Sequence, residues 1–353
     1  MISISTKQVL AQLKADLIGK DSYRGVTLTY SWLANQVGHF SLGFIPTLLT
    51  SVVLKKYTTS NNVAIWSAVI ISVTWLLFET YNFLGPLLLK KKSKSKLLFI
   101  PGKIHSFNPP WTNIAFDTFT DLCFFWTGAF SASLFLGYTN TAVYILAALL
   151  LILISPIRYW YITKMYMQSA QYPFQFRLSQ WEGNINPSDK IIVDQFINNN
   201  EIGNHLFVFG VKGSGKTNIS VGIGTEMAIK RNPCFYTTGI KLVSVFSEPD
   251  SVNPNFATQL WTWRQSSLLV IDDMNVGGTI KNEMLNPDNF FKIVDAYSVI
   301  NTENRNALQN KNVIWVLSDE NLDTVLFDQW KSMLVNIGVP PKNISSINLL
   351  PTN

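Results

Sequence analysis

Eight consecutive residues, Gly210-Val-Lys-Gly-Ser-Gly-Lys216-Thr217, fit the pattern G-x-x-x-x-G-K-[ST] at every fixed position. The pattern suits phosphate chemistry. Gly210, Gly213 and Gly215 admit backbone angles and close approaches that a Cβ would block. The amides along Val211, Lys212, Ser214 and Asn218, with the start of a following helix, then point at phosphate oxygens. Lys216 is placed to pair with β- and γ-phosphates, and Thr217 to put its hydroxyl on Mg²⁺. ATP and Mg²⁺ are the cofactors this chemistry calls for. No Asn-Lys-x-Asp element reads a guanine, since Asn310-Lys-Asn-Val313 fails at the acid.

Such a loop needs an acid at the end of a second strand to hold the metal through water. Ser267-Leu-Leu-Val-Ile-Asp-Asp273 supplies one. Asp272 is the expected magnesium partner and Asp273 the expected water-orienting acid. A third apolar run, Asn312–Leu317, ends in Ser318-Asp319. A polar group there either meets the γ-phosphate or the attacking water, or caps the helix that follows.

The elements that must position these groups are legible as well. His205–Phe209 is short, apolar and rich in β-formers, which predicts a buried strand before the loop. Asn218 to Lys230 predicts the helix after it. Cys234–Thr238 and Ser345–Leu350 predict two more strands. Five short strands alternating with helices predict an α/β domain with a mainly parallel sheet.

Gly210–Thr217, Leu268–Asp273 and the polar end of Val313–Asp319 resemble the Walker A, Walker B and sensor-1 elements of P-loop ATPases. The group resembled is the one with an additional strand between Walker A and Walker B, which includes the AAA+ proteins. The Ile-Asp-Asp form of the second element is similar to that of replication initiators and helicase loaders. The resemblance covers roughly residues 185–350. It implies Mg²⁺-dependent ATP hydrolysis and assembly into a homo-oligomer. Most relatives carry Glu where Asp273 stands, which implies slow turnover. No segment remains for the helical lid, and no Arg follows Arg305. Arg305 is then the substitute for an arginine finger, with Arg264 behind it.

The first half of the chain is of another class. Charged residues are 14% and aromatics 13%, and mean hydropathy is +0.17, too apolar for an ordinary soluble protein of this size. Four stretches, roughly 31–54, 63–88, 114–137 and 141–163, are long enough to span a bilayer. Asn35, Gln36 and His39 interrupt the start of the first. Lys7, Lys14, Lys20 and Arg24 precede the spans, Lys90, Lys91, Lys92, Lys94, Lys96 and Lys103 fill the loop between the second and third, and Arg158 and Lys164 close the fourth. The opposite side holds only Lys55 and Lys56. The positive-inside rule therefore puts both termini in the cytoplasm. Topology alone accounts for the Lys90–Lys96 run, with anionic lipid or nucleic acid as its other targets.

Glu79, Asp117, Asp121 and His39 lie within or near spans and predict interhelical contacts, with an ion path as the alternative. Thr6 to Leu17 places Val9, Leu10, Leu13 and Leu17 at helical spacing, a helix that packs on a partner or lies on the inner leaflet. Cys123 and Cys234 fall on different sides of the membrane surface and should not pair. The expected organisation is an amphipathic segment (1–30), an all-α unit of four transmembrane helices (31–164), a linker or strap (165–200) and a P-loop ATPase domain (201–353). In the strap, Ile191, Ile192, Val193 and Phe196 are expected to pack on the sheet or on adenine.

These readings describe a multi-pass protein of the inner or plasma membrane whose ATPase domain faces the cytoplasm. Its nucleotide cycle would drive translocation or remodelling of a nucleic acid or protein cargo, alone or with other membrane subunits. The alternatives are a nucleotide-gated pore or signalling switch, for instance in host defence, and an ion channel or transporter.

Overall fold

A computed structural model describes residues 3–18, 26–90, 106–199, 201–248, 259–274, 285–296, 301–317 and 324–350. The lysine run after Lys90, Lys20, Arg24, Ser318 and Asp319 lie outside these residues. The chain divides into two compact units, one of them mostly Thr163–Asn353 and the other Leu13–Ile104 with Pro109–Ile162.

The helical unit holds helices long and apolar enough to cross a membrane: α2 (Leu28–Tyr57), the Val63–Leu84 part of α3 (Val63–Lys90), α4 (Trp111–Leu136) and α5 (Asn140–Ser169). Close backbone approach joins α2 to α4. A Cβ on Gly43 would sit 1.9 Å from the Phe125 carbonyl oxygen, and one on Gly128 2.0 Å from that of Phe40. Small residues facing each other allow this contact where apolar burial gives helices no preference for one another over lipid. Pro46 has no N–H to offer the Leu42 carbonyl one turn back. The Trp75 indole N–H donates to that same oxygen at 3.0 Å. Its ring stacks on Phe125 with centroids 4.0 Å apart.

The polar residues of these helices find one another. His39 Nδ1 on α2 lies 3.0 Å from Asp121 Oδ1 on α4, and Gln36 Nε2 donates to the same oxygen at 3.2 Å. Asp16, at the end of α1 (Thr6–Ile18), accepts from Thr27 Oγ1 and Tyr161 Oη, both at 2.9 Å, and from Thr29 Oγ1. Within the chain, the buried face of α1 is a polar one. Gln12 and Asp16 are buried, whereas Leu10 and Leu17 stay 60% and 69% exposed. Three hydroxyl donors make the carboxylate the group that burial accommodates, and leucine periodicity does not decide the face.

The second unit is an α/β domain. Its sheet has six strands in the order β1-β6-β2-β5-β4-β3, one more than the sequence predicts. β2 (His205–Gly210), β3 (Cys234–Thr238), β4 (Leu268–Asp272), β5 (Asn312–Val316) and β6 (Ile344–Leu350) are parallel. The additional strand, β1 (Asn184–Ile185), pairs antiparallel with the end of β6. Two residues are too few for a periodicity to show. β5 lies between β2 and β4. All three are buried along their whole length, which their unbroken apolar runs require of central parallel strands.

One face of the sheet packs Phe207, Ile271 and Trp315 against Phe290 of the Pro287–Asp295 helix and Trp330 of the Thr324–Ile337 helix. α7 (Lys216–Ile229) packs on the sheet through buried Ile219 and Ile223. α6 (Pro187–Asn198) is held to β6 by Asp189, which accepts from the Asn348 amide at 2.9 Å. Of its expected packing residues, Val193 and Phe196 are buried and Ile191 is 57% exposed.

His205, fully buried, accepts at Nδ1 from the Trp315 indole N–H at 3.0 Å. Burial pushes its pKa down to about 3, from about 6.5 in an unfolded chain. The folded state thus refuses a proton that the unfolded state takes up. The resulting stability is complete above pH ~6.5 and is lost as pH falls toward 3, at up to about 1.4 kcal/mol per pH unit. In acid denaturation of the full chain, His205→Gln is expected to flatten that branch by up to one proton.

Candidate phosphate-binding site

The loop after β2 is held by its own glycines. Gly213 and Gly215 take φ of +85° and +84°, left-handed values that favour glycine. α7 then begins at Lys216 with Gly215 as its N-cap. Its first amides are left without partners inside the helix and are free for an anion.

Lys216 Nζ curls back onto the loop and donates to the Gly210 and Val211 carbonyls at 2.9 and 2.8 Å. Burial lowers its pKa, while the Asp272 and Asp273 carboxylates act in the opposite sense. The cation is therefore held by carbonyls that a phosphate can replace. Ser214 is buried and its hydroxyl lacks a protein partner.

Parallel order brings the acids to the loop. With β5 alone between β2 and β4, the C-terminal ends of all three strands open on one cleft of about 340 Å³. Lys212, Gly213, Gly215, Lys216, Thr217, Asn218, Asp272, Asp273 and Val316 line it. Asp272 is 3% exposed. Its Oδ1 accepts from the Asp273 amide and its Oδ2 from the Tyr236 hydroxyl, each at 2.8 Å. Asp273 is exposed on the cleft with φ of +52°, a left-handed angle that Asp tolerates better than most side chains. A hard divalent cation fits these donors, since carboxylate and hydroxyl oxygens converge on one open space.

The two candidate arginines lie away from the chain's own cleft. Arg305 is paired with Asp295, its Nε 2.6 Å from Oδ1, and its guanidinium lies 5.3 Å from the Phe291 ring centre. The hydrogen bonds to that carboxylate raise its pKa. Arg264 donates to Asn304 Oδ1 and to the Glu248 and Phe246 carbonyls. Neither lines the cleft.

Sequence reasoning missed two contributors. Trp181 is 2% exposed and donates from its indole to the Gly215 carbonyl at 3.1 Å. A Cβ on Gly215 would come within 2.9 Å of that nitrogen. The neighbouring Arg177 grips Glu226 of α7 with two nitrogens, at 2.8 and 3.2 Å. Tyr236 is the second. A lone aromatic in a polar stretch, or in a strand, carries no signal of the group it will meet.

The fold and site together define a mainly parallel α/β domain with a glycine-rich loop facing a carboxylate pair. No family model matches the chain, and no curated protein does. Among solved structures it is similar to the DnaC helicase loader, with a TM-score of 0.34 and 18% identity over 49% of this chain and 96% of that one. It is also similar to DnaI, with a TM-score of 0.31 and 16% identity over 51% and 90%.

Proposed function

We propose that this chain is a membrane-anchored, Mg²⁺-dependent ATPase. The observation that carries the reading is the convergence of Lys216, Thr217, Asp272 and Asp273 on one cleft in a chain whose described residues also hold four helices long and apolar enough to cross a bilayer. β5 between β2 and β4 supports the likeness to ATPases with an additional strand. Charge asymmetry places both termini and the nucleotide in the cytoplasm.

In the cycle, the loop amides and the N-terminus of α7 receive the phosphates. Lys216 exchanges its two carbonyl partners for phosphate oxygens. Thr217 and Asp272 would hold Mg²⁺, which when bound neutralises charge shared by the β- and γ-phosphates. Asp273, exposed at the mouth of the cleft, orients the attacking water. The domain acts as a homo-oligomer, and its cycle moves or remodels a nucleic acid or polypeptide at the membrane.

A second reading, a nucleotide-gated membrane switch, is favoured by the engagement of Arg264 and Arg305 within their own chain. Without an arginine at the γ-phosphate, turnover is slow and the bound state persists. The full chain, purified in detergent and returned to vesicles, tests both. Mg-ATP binding with turnover stimulated by nucleic acid or polypeptide supports the first. Binding with negligible turnover and ATP-controlled vesicle leakage supports the second. Failure to bind Mg-ATP overturns both.

A further inference from the structure

The carboxylate of Asp272 is fixed by donors on two sides. One is the backbone amide of the next residue, at 2.8 Å from Oδ1. The other is Tyr236, whose hydroxyl donates to Oδ2 at 2.8 Å from the neighbouring strand. Register explains the reach. Tyr236 is opposite Val270, and Thr238 opposite Asp272. Tyr236 is thus two residues short of the acid on the same face of the sheet, since side chains alternate along a strand. Two residues are about 6.6 Å, roughly the length of a tyrosine side chain, so the phenol spans the gap along the strands. Its own position is set by its backbone amide, which donates to the Ala170 carbonyl at 2.8 Å, and by edge-on packing against Tyr172 at 6.3 Å.

Phenylalanine would serve that packing equally well. The hydroxyl adds a single directed bond, and it goes to the acid expected at the metal. Each carboxylate oxygen has two lone pairs, so both bonds leave one per oxygen for a metal-bound water. We propose that Tyr236 is a positioning residue for the divalent cation, holding the Asp272 carboxylate in the rotamer that meets the metal's water shell. The proposal rests on the nucleotide reading of the cleft. Partners that orient a metal's ligands commonly contribute about 10–100-fold to metal affinity.

The test uses the full chain in detergent and a fluorescent ATP analogue. Binding is followed against Mg²⁺ concentration and, separately, in EDTA, for the parent, Tyr236→Phe, Tyr236→Met and Asp272→Ala. Half-saturating Mg²⁺ is expected to rise about 10-fold in both Tyr236 variants, with analogue affinity in EDTA unchanged. Parental Mg²⁺ dependence in the Tyr236 variants, alongside a shifted Asp272→Ala, overturns the proposal and leaves the site reading intact. An unshifted Asp272→Ala removes the acid from the metal site and the proposal with it. A Tyr236 variant that also loses EDTA binding has lost its fold, and the other variant then decides. Loss of EDTA binding in both assigns the tyrosine a purely structural role and overturns the proposal.

Discussion

Lys216→Ala is expected to weaken binding of Mg-ATP by about 100-fold or more while the protein stays folded. Hydrogen bonds to charged partners contribute about 1.5–3 kcal/mol each, and Lys216 lines the cleft beside the loop residues, with Lys212 as a second cation. The free protein loses little. The Gly210 and Val211 carbonyls that Lys216 now satisfies border an open cleft, where water can replace the ammonium. Titration of a fluorescent ATP analogue, with circular dichroism as a check on folding, measures the effect. A variant that binds ATP like the parent would show that phosphates do not sit on this loop.

Asp273→Asn is expected to separate binding from turnover. ATP affinity should stay within a few-fold of the parent, and phosphate release should fall by about 10²–10⁴-fold, the usual contribution of a positioned acid–base group. Asparagine is the informative choice because the backbone there has φ of +52°, which Asn tolerates as well as Asp. Alanine would add strain to lost chemistry and confuse the two. Steady-state phosphate release, set beside retained nucleotide after rapid dilution, gives the comparison. Unchanged turnover would pass the water-orienting role to another group on the cleft. Asp272→Asn should behave differently, because that acid is buried and doubly hydrogen-bonded. Its loss should alter Mg²⁺ dependence before it alters catalysis.

Much of the site was legible because it is local. The loop from Gly210 to Thr217 is contiguous, and its strand and helix flank it directly. Asp272 and Asp273 follow a run of apolar residues that has to be a central strand. The four long helices follow from length and hydropathy. Other contributors were silent in the chain. Trp181 reaches Gly215 from 34 residues away and Tyr236 reaches Asp272 from 36 away. Neither pairing leaves a periodic trace. The leucine spacing of α1 said nothing of its buried face, which carries Gln12 and Asp16, because Thr27, Thr29 and Tyr161 bring hydroxyls to the carboxylate. The partners that Arg264 and Arg305 find within the chain, Asn304 and Asp295, were not visible in the sequence.

Residue order alone determined the chemistry on offer: a phosphate cradle, a pair of acids behind a buried strand, and four apolar helices long enough for a bilayer. Those follow from short-range rules of backbone geometry, strand burial and span length. Tertiary structure decided which groups meet. It placed β5 between β2 and β4 so that loop and acids share a cleft, set Trp181 behind the loop and Tyr236 against Asp272, and closed Gly43 onto the backbone of Phe125 and Gly128 onto that of Phe40. The reason is that sheet order and helix contact are settled by packing between segments far apart in the chain, where each side chain's partner depends on every other element finding its place.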